Sequence, residues 1–316
     1  MRIFAAGKCR FAKHNKMKIT GRFAPSPTGR MHLGNVFCAL LSWLSAKSKG
    51  GDWRLRIEDL DPQRSRRDFA MQLQEDLLWL GLPWDGEVVW QSQRDDIYEH
   101  YLRQLQDAGL TYPCFCTRAD IMATQAPHET DGRIVYAGTC RGKILDEMGK
   151  NTPAAVRFMV PDEVITFHDG HYGEQRVNLA KHCGDYILRR KDGAWAYQLA
   201  VVVDDALMGI TEIVRGRDLL LSTPQQLHLY RTLGFPEPTF FHHPLLINEN
   251  GQRLCKRDLS MDIGILREKH KNPDEIVGFL AFLAGLLPSP TPLNPRDLLP
   301  LFTWQNVPTQ DITASY

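Results

Sequence analysis

Gly21-Arg22-Phe23-Ala24-Pro25-Ser26-Pro27-Thr28-Gly29-Arg30-Met31-His32-Leu33-Gly34-Asn35 is the stretch from which the fold of this chain can be read. Ile19 to Phe23 reads as a short strand, and two prolines with two glycines make a rigid turn. From Leu33 the apolar side chains recur at 33, 36, 37, 40, 41 and 44, the spacing of one helix face. A strand that passes through such a turn into a helix leaves N–H groups and the positive end of the helix dipole facing the loop, a setting that suits a phosphate. The pattern is neither the dinucleotide-binding fingerprint nor the P-loop.

Working outward, the 316 residues suffice for two domains or for one domain with an insertion, and 43% hydrophobic content supports a core. No apolar run approaches the ~18 residues needed to cross a bilayer, which gives a membrane role no support. A cytoplasmic monomer is the expectation. Formal net charge is +1 but uneven, since residues 1–51 hold ten Lys or Arg and no acid, a basic face compatible with a polyanionic partner. Seven cysteines without a secretory signal point to a reducing compartment, where metal binding ranks above disulfides. Residues 1–16, basic and acid-free, read as a disordered extension upstream of a start at Met17.

Beyond the first helix, Trp53 to Glu58 alternates apolar and polar side chains as a strand does, and it ends where the carboxyl edge of a parallel sheet opens onto a ligand. A helix with Phe69, Leu73, Leu77 and Leu80 on one face, a strand over 87–90 and a helix over 97–108 follow. Residues 17–110 therefore read as the first half of a Rossmann-type, doubly wound α/β domain with a mostly parallel sheet. The rhythm breaks at Thr111, and 111–183 reads as an inserted α+β module. Regular organisation returns over 184–250: a helix over Tyr197 to Met208, a strand over Thr211 to Val214 presenting Arg215, and a helix capped by Thr223 and begun by Pro224. The strand Phe240 to Ile247 closes in an Asn250-Gly251 turn. Residues 251–316 hold a basic loop, a helix over 276–286 and a short helical remnant.

His32-Leu33-Gly34-Asn35 resembles the first signature of the class I aminoacyl-tRNA synthetases, usually written H-I-G-H, and Arg22 to Gly29 narrows the likeness to the glutamyl and glutaminyl branch. The resemblance implies that His32 is catalytic and meets the phosphates of ATP, and that Gly34 lets the adenine approach the backbone. Asn35 departs from the second His of the motif but keeps an amide that can donate. Arg253-Leu254-Cys255-Lys256-Arg257 resembles the second signature, K-M-S-K-S, with Lys256 as the catalytic, ATP-binding lysine and Cys255 replacing the usual serine. Activation is attack of a carboxylate on the α-phosphate of ATP, bound with Mg²⁺, so the catalyst is chiefly positive charge placed where the phosphorus centre becomes more negative.

Glutamate carries two carboxylates and one ammonium, so a site for it needs at least two cationic donors and one anion. Arg22, Arg215 and Glu58 each end a strand, on one edge of the sheet, and Tyr197 and Ser26 supply neutral hydrogen bonds. In the glutamyl branch the matching positions, Arg22, Phe23, Ala24, Pro25, Ser26, Glu58, Tyr197 and Arg215, contact the amino acid, and the resemblance carries that role onto them.

Cys114-x-Cys116, nineteen residues, then Tyr136-x-x-x-Cys140 is a spacing that favours one structural Zn²⁺, with free buried thiols as the alternative. Tyr136 is assigned as fourth ligand by resemblance to the glutamyl-queuosine tRNA(Asp) synthetase family, a truncated paralogue of glutamyl-tRNA synthetase, which carries Tyr there. Trp90 to Arg94, Asp204 to Ile210 and Val214 to Leu220 resemble the same family. So does the length, since the 60 residues after Lys256 leave no room for the large helical anticodon-binding domain of a full glutamyl enzyme. The family implies activation of glutamate without tRNA, then transfer to queuosine at the wobble position of tRNA(Asp). Two other readings stay open: a truncated or discriminating glutamyl-tRNA synthetase that charges the acceptor end, and a non-catalytic zinc-containing RNA-binding paralogue. Arg30, Lys47, Lys49 and the inserted module are candidates for an RNA-facing surface.

Overall fold

The computed structural model describes residues 18–123, 135–143, 152–254 and 262–314. The expected extension over 1–16 lies outside them. β1 (Thr20–Phe23), β2 (Asp52–Ile57) and β3 (Val89–Trp90) form a parallel sheet in that order, connected by α1 (Leu33–Lys47) and α2 (Arg67–Trp79). Leu33, Val36, Phe37, Leu40, Leu41 and Leu44 of α1 are all buried, as their spacing requires. Each contributes roughly 1.5–3 kcal/mol, so packing on the sheet rather than intrinsic propensity holds this helix.

α3 (Asp95–Asp107) begins two residues before the expected start, with Asp95 and Asp96 placed at the positive end of its dipole. Beyond it come β4 (Thr111–Cys114), α4 (Arg118–Ala123), β5 (Ala155–Phe158), β6 (Val164–Asp169), β7 (Gly173–Asn178), α5 (Leu179–His182), β8 (Tyr186–Arg189) and α6 (Tyr197–Leu207). The segment 111–183 divides between two sheets. β4 and β5 form a small antiparallel sheet with β8, which lies beyond that segment, whereas β6 and β7 extend the main sheet.

The main sheet is completed by β9 (Glu212–Gly216) and β10 (Thr239–His243), with α7 (Thr223–Leu233) between them. β10 pairs in parallel with both β9 and β6. β9 lies beside β1, where Thr211 N–H donates to Thr20 O at 2.9 Å and Thr20 N–H to Thr211 Oγ1 at 2.9 Å. The strands thus run β3-β2-β1-β9-β10-β6-β7, and the order reverses between β1 and β9. Ligands of doubly wound sheets bind outside such a reversal.

The expected strand over 240–247 breaks at Pro244, which lacks the N–H to continue a ladder, into β10 and β11 (Leu246–Ile247). Gly251, at φ 72°, makes the turn that brings Arg253 back beside Ile247. Three further pieces complete the chain: α8 (Ile263–Lys269), α9 (Pro273–Leu283) and β12 (Ile312–Thr313). α8 was not legible in the sequence; Asp262 caps it by accepting from Gly264 and Ile265 N–H. The tail is more than helical, since β12 pairs in parallel with β11. No described helix is long and apolar enough to cross a membrane.

Candidate active site

A cavity of about 480 Å³ opens at the β1–β9 reversal. It is lined by Arg22, Phe23, Ala24, Pro25 and Ser26 from the end of β1 and the turn after it, by His32, Gly34 and Asn35 from the start of α1, and by Glu58, Tyr197 and Arg215. The structure therefore brings together every site residue expected for the amino acid and the nucleotide, with one exception. Lys256 lies outside the described residues, as do Cys255 and Arg257. Of the same loop, Arg253 and Leu254 line the cavity, and on its far side Asp262 bridges to His32.

The start of α1 explains the departure at Asn35. His32 is the N-cap, its Nδ1 accepting from Gly34 N–H at 3.1 Å, while Asn35 Oδ1 accepts from His32 N–H at 3.1 Å. The pair forms a capping box in which Asn replaces the usual Glu or Gln. Because Nδ1 is an acceptor, the proton of a neutral His32 ring sits on Nε2, the donor that a phosphate oxygen needs. Gly34 has a reason beyond the expected adenine contact, since a Cβ there would lie 2.9 Å from His32 Cε1 and 3.0 Å from Nδ1. The glycine makes room for the ring that caps the helix.

The three charged residues expected to hold glutamate are not equally free. Arg22 Nε lies 3.2 Å from Asp205 Oδ1 and its Nη1 donates to Val214 O at 3.2 Å. Glu58 accepts from Arg56 Nη2 at 3.0 Å, and Arg56 Nη1 reaches the same Asp205 at 2.5 Å. Arg56 is fully buried although strand alternation would point it outward; Asp205, Glu58 and, at 3.8 Å, Asp204 surround it. Asp204 in turn accepts from Gln91, Arg94 and Tyr98. Burial raises the Glu58 carboxyl, against the pull of Arg56, whereas Asp205, also buried, is held low by Arg22 and Arg56.

Arg215 differs. It is 3% exposed, and its described partners are neutral: His242 Nε2 at 3.0 Å, Gln226 Oε1 at 2.7 Å, Thr223 Oγ1 at 2.8 Å and Leu219 O at 3.5 Å. Thr223, expected as a cap, is instead the first residue of α7 and turns its hydroxyl to this guanidinium. Burial lowers the Arg215 pKa from its ordinary value. A guanidinium has five N–H donors, and four acceptors are supplied, none of them an anion. The cavity thus holds one buried cation that lacks a carboxylate among the described residues.

The model of the class I tRNA synthetases for E and Q, catalytic domain, matches residues 18–289. The glutamyl-Q tRNA(Asp) synthetase of Symbiobacterium thermophilum is 46% identical over 310 residues, which cover 93% of this chain and 95% of that protein. That of Nitratidesulfovibrio vulgaris is 43% identical, covering 94% and 95%. The chain belongs to the glutamyl-Q tRNA(Asp) synthetase family. It is a ligase of the class I aminoacyl-tRNA synthetase type. A solved glutamate tRNA ligase from Elizabethkingia meningosepticum, in complex with its amino acid, has a similar fold, with a TM-score of 0.80 at 29% identity over 94% of this chain and 67% of that one.

Away from the cavity, this member of the glutamyl-Q tRNA(Asp) synthetase family gathers Cys114, Cys116 and Cys140, whose Sγ atoms all lie within 4.8 Å of one another. Neighbouring sulfurs of a tetrahedral zinc site with Zn–S near 2.3 Å stand roughly 3.8 Å apart, and Cys116 and Cys140 are separated by 3.5 Å. Tyr136 Oη lies 3.4 Å from Cys114 Sγ and 3.5 Å from Cys116 Sγ, at the remaining corner. The three thiols are soft donors of the kind that suit Zn²⁺, with the Tyr136 oxygen beside them. The basic residues expected to face RNA each have an acidic partner within the fold: Lys47 pairs with Asp85 at 2.5 Å, Lys49 with Glu212, and Arg30 at 3.4 Å with Asp76, a carboxylate it shares with Arg267.

Sequence reasoning missed Asp169, Gln226 and His242 altogether. Asp204 and Asp205 stood in a run that resembled the family, and their adjacency on an otherwise apolar helix was the available signal.

Proposed function

We propose that this protein activates glutamate with ATP and Mg²⁺, without tRNA, and then transfers it to queuosine at the wobble position of tRNA(Asp). The observation that carries the glutamate reading is Arg215, a buried cation solvated only by neutral groups and lining the same cavity as Arg22, Glu58 and His32. A carboxylate of the substrate supplies the missing anion. Arg22, whose charge is shared with Asp205, and Ser26 and Tyr197 hold the remaining polar atoms, and Glu58 receives the ammonium. With the side-chain carboxylate on Arg215, desolvation makes such a site reject amino acids with uncharged side chains, because they would leave Arg215 buried and unpaired.

His32 Nε2–H and the positive dipole end of α1 face the phosphates of ATP, and Lys256 adds positive charge where the pentavalent phosphate becomes more negative. Mg²⁺ neutralises the leaving pyrophosphate. Cys114, Cys116, Tyr136 and Cys140 would hold a Zn²⁺, which would tie the end of β4 to the segment 136–140 in a structural role. The queuosine step is supported by the relatives, which carry that name and are matched over 95% of their length. The decisive test compares glutamate transfer onto queuosine-containing and queuosine-lacking tRNA(Asp), each before and after periodate treatment. Transfer that needs queuosine and survives oxidation of the acceptor end supports the reading. Charging abolished by oxidising the acceptor end would show an acceptor-charging enzyme instead.

A further inference from the structure

Behind Arg215 lies a chain of buried polar groups that the activity does not require a priori. Asp169 ends β6, His242 is in β10 and Arg215 in β9, three adjacent strands of the main sheet. Asp169 and His242 are wholly buried. Asp169 Oδ1 accepts from the N–H groups of His171 at 3.0 Å and Tyr172 at 2.9 Å in the turn toward β7, which fixes the carboxylate. Its Oδ2 meets His242 Nδ1 at 2.6 Å, and His242 Nε2 meets Arg215 Nε at 3.0 Å.

The roles along this chain follow by elimination. Arg215 Nε–H can only donate, so His242 Nε2 carries a lone pair. An ionised Asp169 can only accept, so the imidazole proton sits on Nδ1. A neutral ring in this one tautomer bridges an anion and a cation in different strands. It fixes the guanidinium plane while keeping the carboxylate too far away to neutralise it.

We propose that Asp169 and His242 are positioning residues for substrate recognition: they orient Arg215 through a neutral acceptor and so preserve its charge for the carboxylate of the amino acid. This rests on the reading of Arg215 as a carboxylate-binding residue. Direct contact between Asp169 and Arg215 would have given a more ordinary ion pair and a weaker site. Gln226 works in the same sense, since its amide nitrogen donates to Gln198 Oε1 at 2.9 Å and its oxygen is thereby turned to Arg215.

Three variants and one spectrum test the proposal. Asp169→Asn presents an amide N–H to His242 Nδ1 and drives the ring to the Nε2–H tautomer, which then opposes Arg215 Nε–H. His242→Asn keeps a donor for Asp169 but has no acceptor that reaches Arg215. His242→Gln keeps the acceptor. In glutamate-dependent pyrophosphate exchange, Asp169→Asn and His242→Asn should raise the glutamate KM about tenfold or more with the ATP KM within about twofold, and His242→Gln should recover most of the loss. Nitrogen-15 NMR of the ligand-free wild-type protein should show His242 as the Nδ1–H tautomer. The proposal is overturned by an Nε2–H tautomer in the wild type, by unchanged glutamate KM in His242→Asn, or by equal rises in both KM values in all three variants. Absence of exchange in the wild type would instead sink the proposed function, while the tautomer would still decide whether the pair orients Arg215.

Discussion

Gln226 presents Oε1 to Arg215 at 2.7 Å, a neutral acceptor where a buried guanidinium would ordinarily meet a carboxylate. The free protein therefore holds in its core a cation that no described carboxylate contacts, which costs stability and is relieved when an anionic ligand arrives. Arg215→Gln should raise the glutamate KM by roughly a hundredfold, the loss expected for a desolvated charged contact, with little change for ATP. Its unfolding temperature should be unchanged or higher. A fall of several degrees would show that Arg215 serves the fold instead.

Glu58 sets a pH limit on the amino acid. Burial raises its carboxyl above the ordinary 4.5, with Arg56 opposing. Only the ionised form holds an ammonium, so glutamate KM should climb as pH falls through that raised value and should be flat above it. Glu58→Gln should bind weakly at every pH and lose this dependence. A wild-type profile that shows no rise in acid would contradict the assignment.

His242 and His243 make the protein sensitive to acid in a different way. Burial, the larger cause, lowers each to about 4 from 6.5. The unfolded chain thus takes up protons that the native one refuses. Their stabilisation is complete above pH 6.5 and is lost as pH falls toward 4, at about 1.4 kcal/mol per pH unit for each histidine. Unfolding free energy measured across this window should fall with a slope near two protons, and His243→Leu should remove about one of them. An unchanged slope in that variant would refute the account of His243.

How much of this was legible in the sequence depends on how far each feature reaches. The strand, turn and helix over 19–44 are local, and their apolar spacing led directly to the buried face of α1 and to the site at its start. The eleven expected site residues that line the cavity were legible because they sit in short runs at strand ends and helix starts. What supports them was not. Asp169 and His242 are 73 residues apart and meet only because β6 pairs with β10, a register that no window of sequence contains. Arg56 follows the polar rhythm of β2 yet is buried, since Asp205, on α6, pairs with it. The division of 111–183 between two sheets was hidden for the same reason, because a hairpin pattern does not say which third strand it will join.

The cysteine cluster gives a prediction independent of the cavity. Protein prepared without chelator should hold one Zn²⁺ per chain, and Cys140→Ser should lose it and melt at lower temperature. Lys256→Ala should abolish pyrophosphate exchange with zinc content unchanged. Zinc bound equally well by Cys140→Ser would rule out the thiolate set.

The central claim is that one cavity cages glutamate beside ATP and joins them. Pyrophosphate exchange measured with ATP, Mg²⁺ and no tRNA tests it most directly. Robust exchange with glutamate and at most trace exchange with glutamine, lost in Arg215→Gln, is the predicted result. No glutamate-dependent exchange, or equal exchange with glutamine, would contradict it.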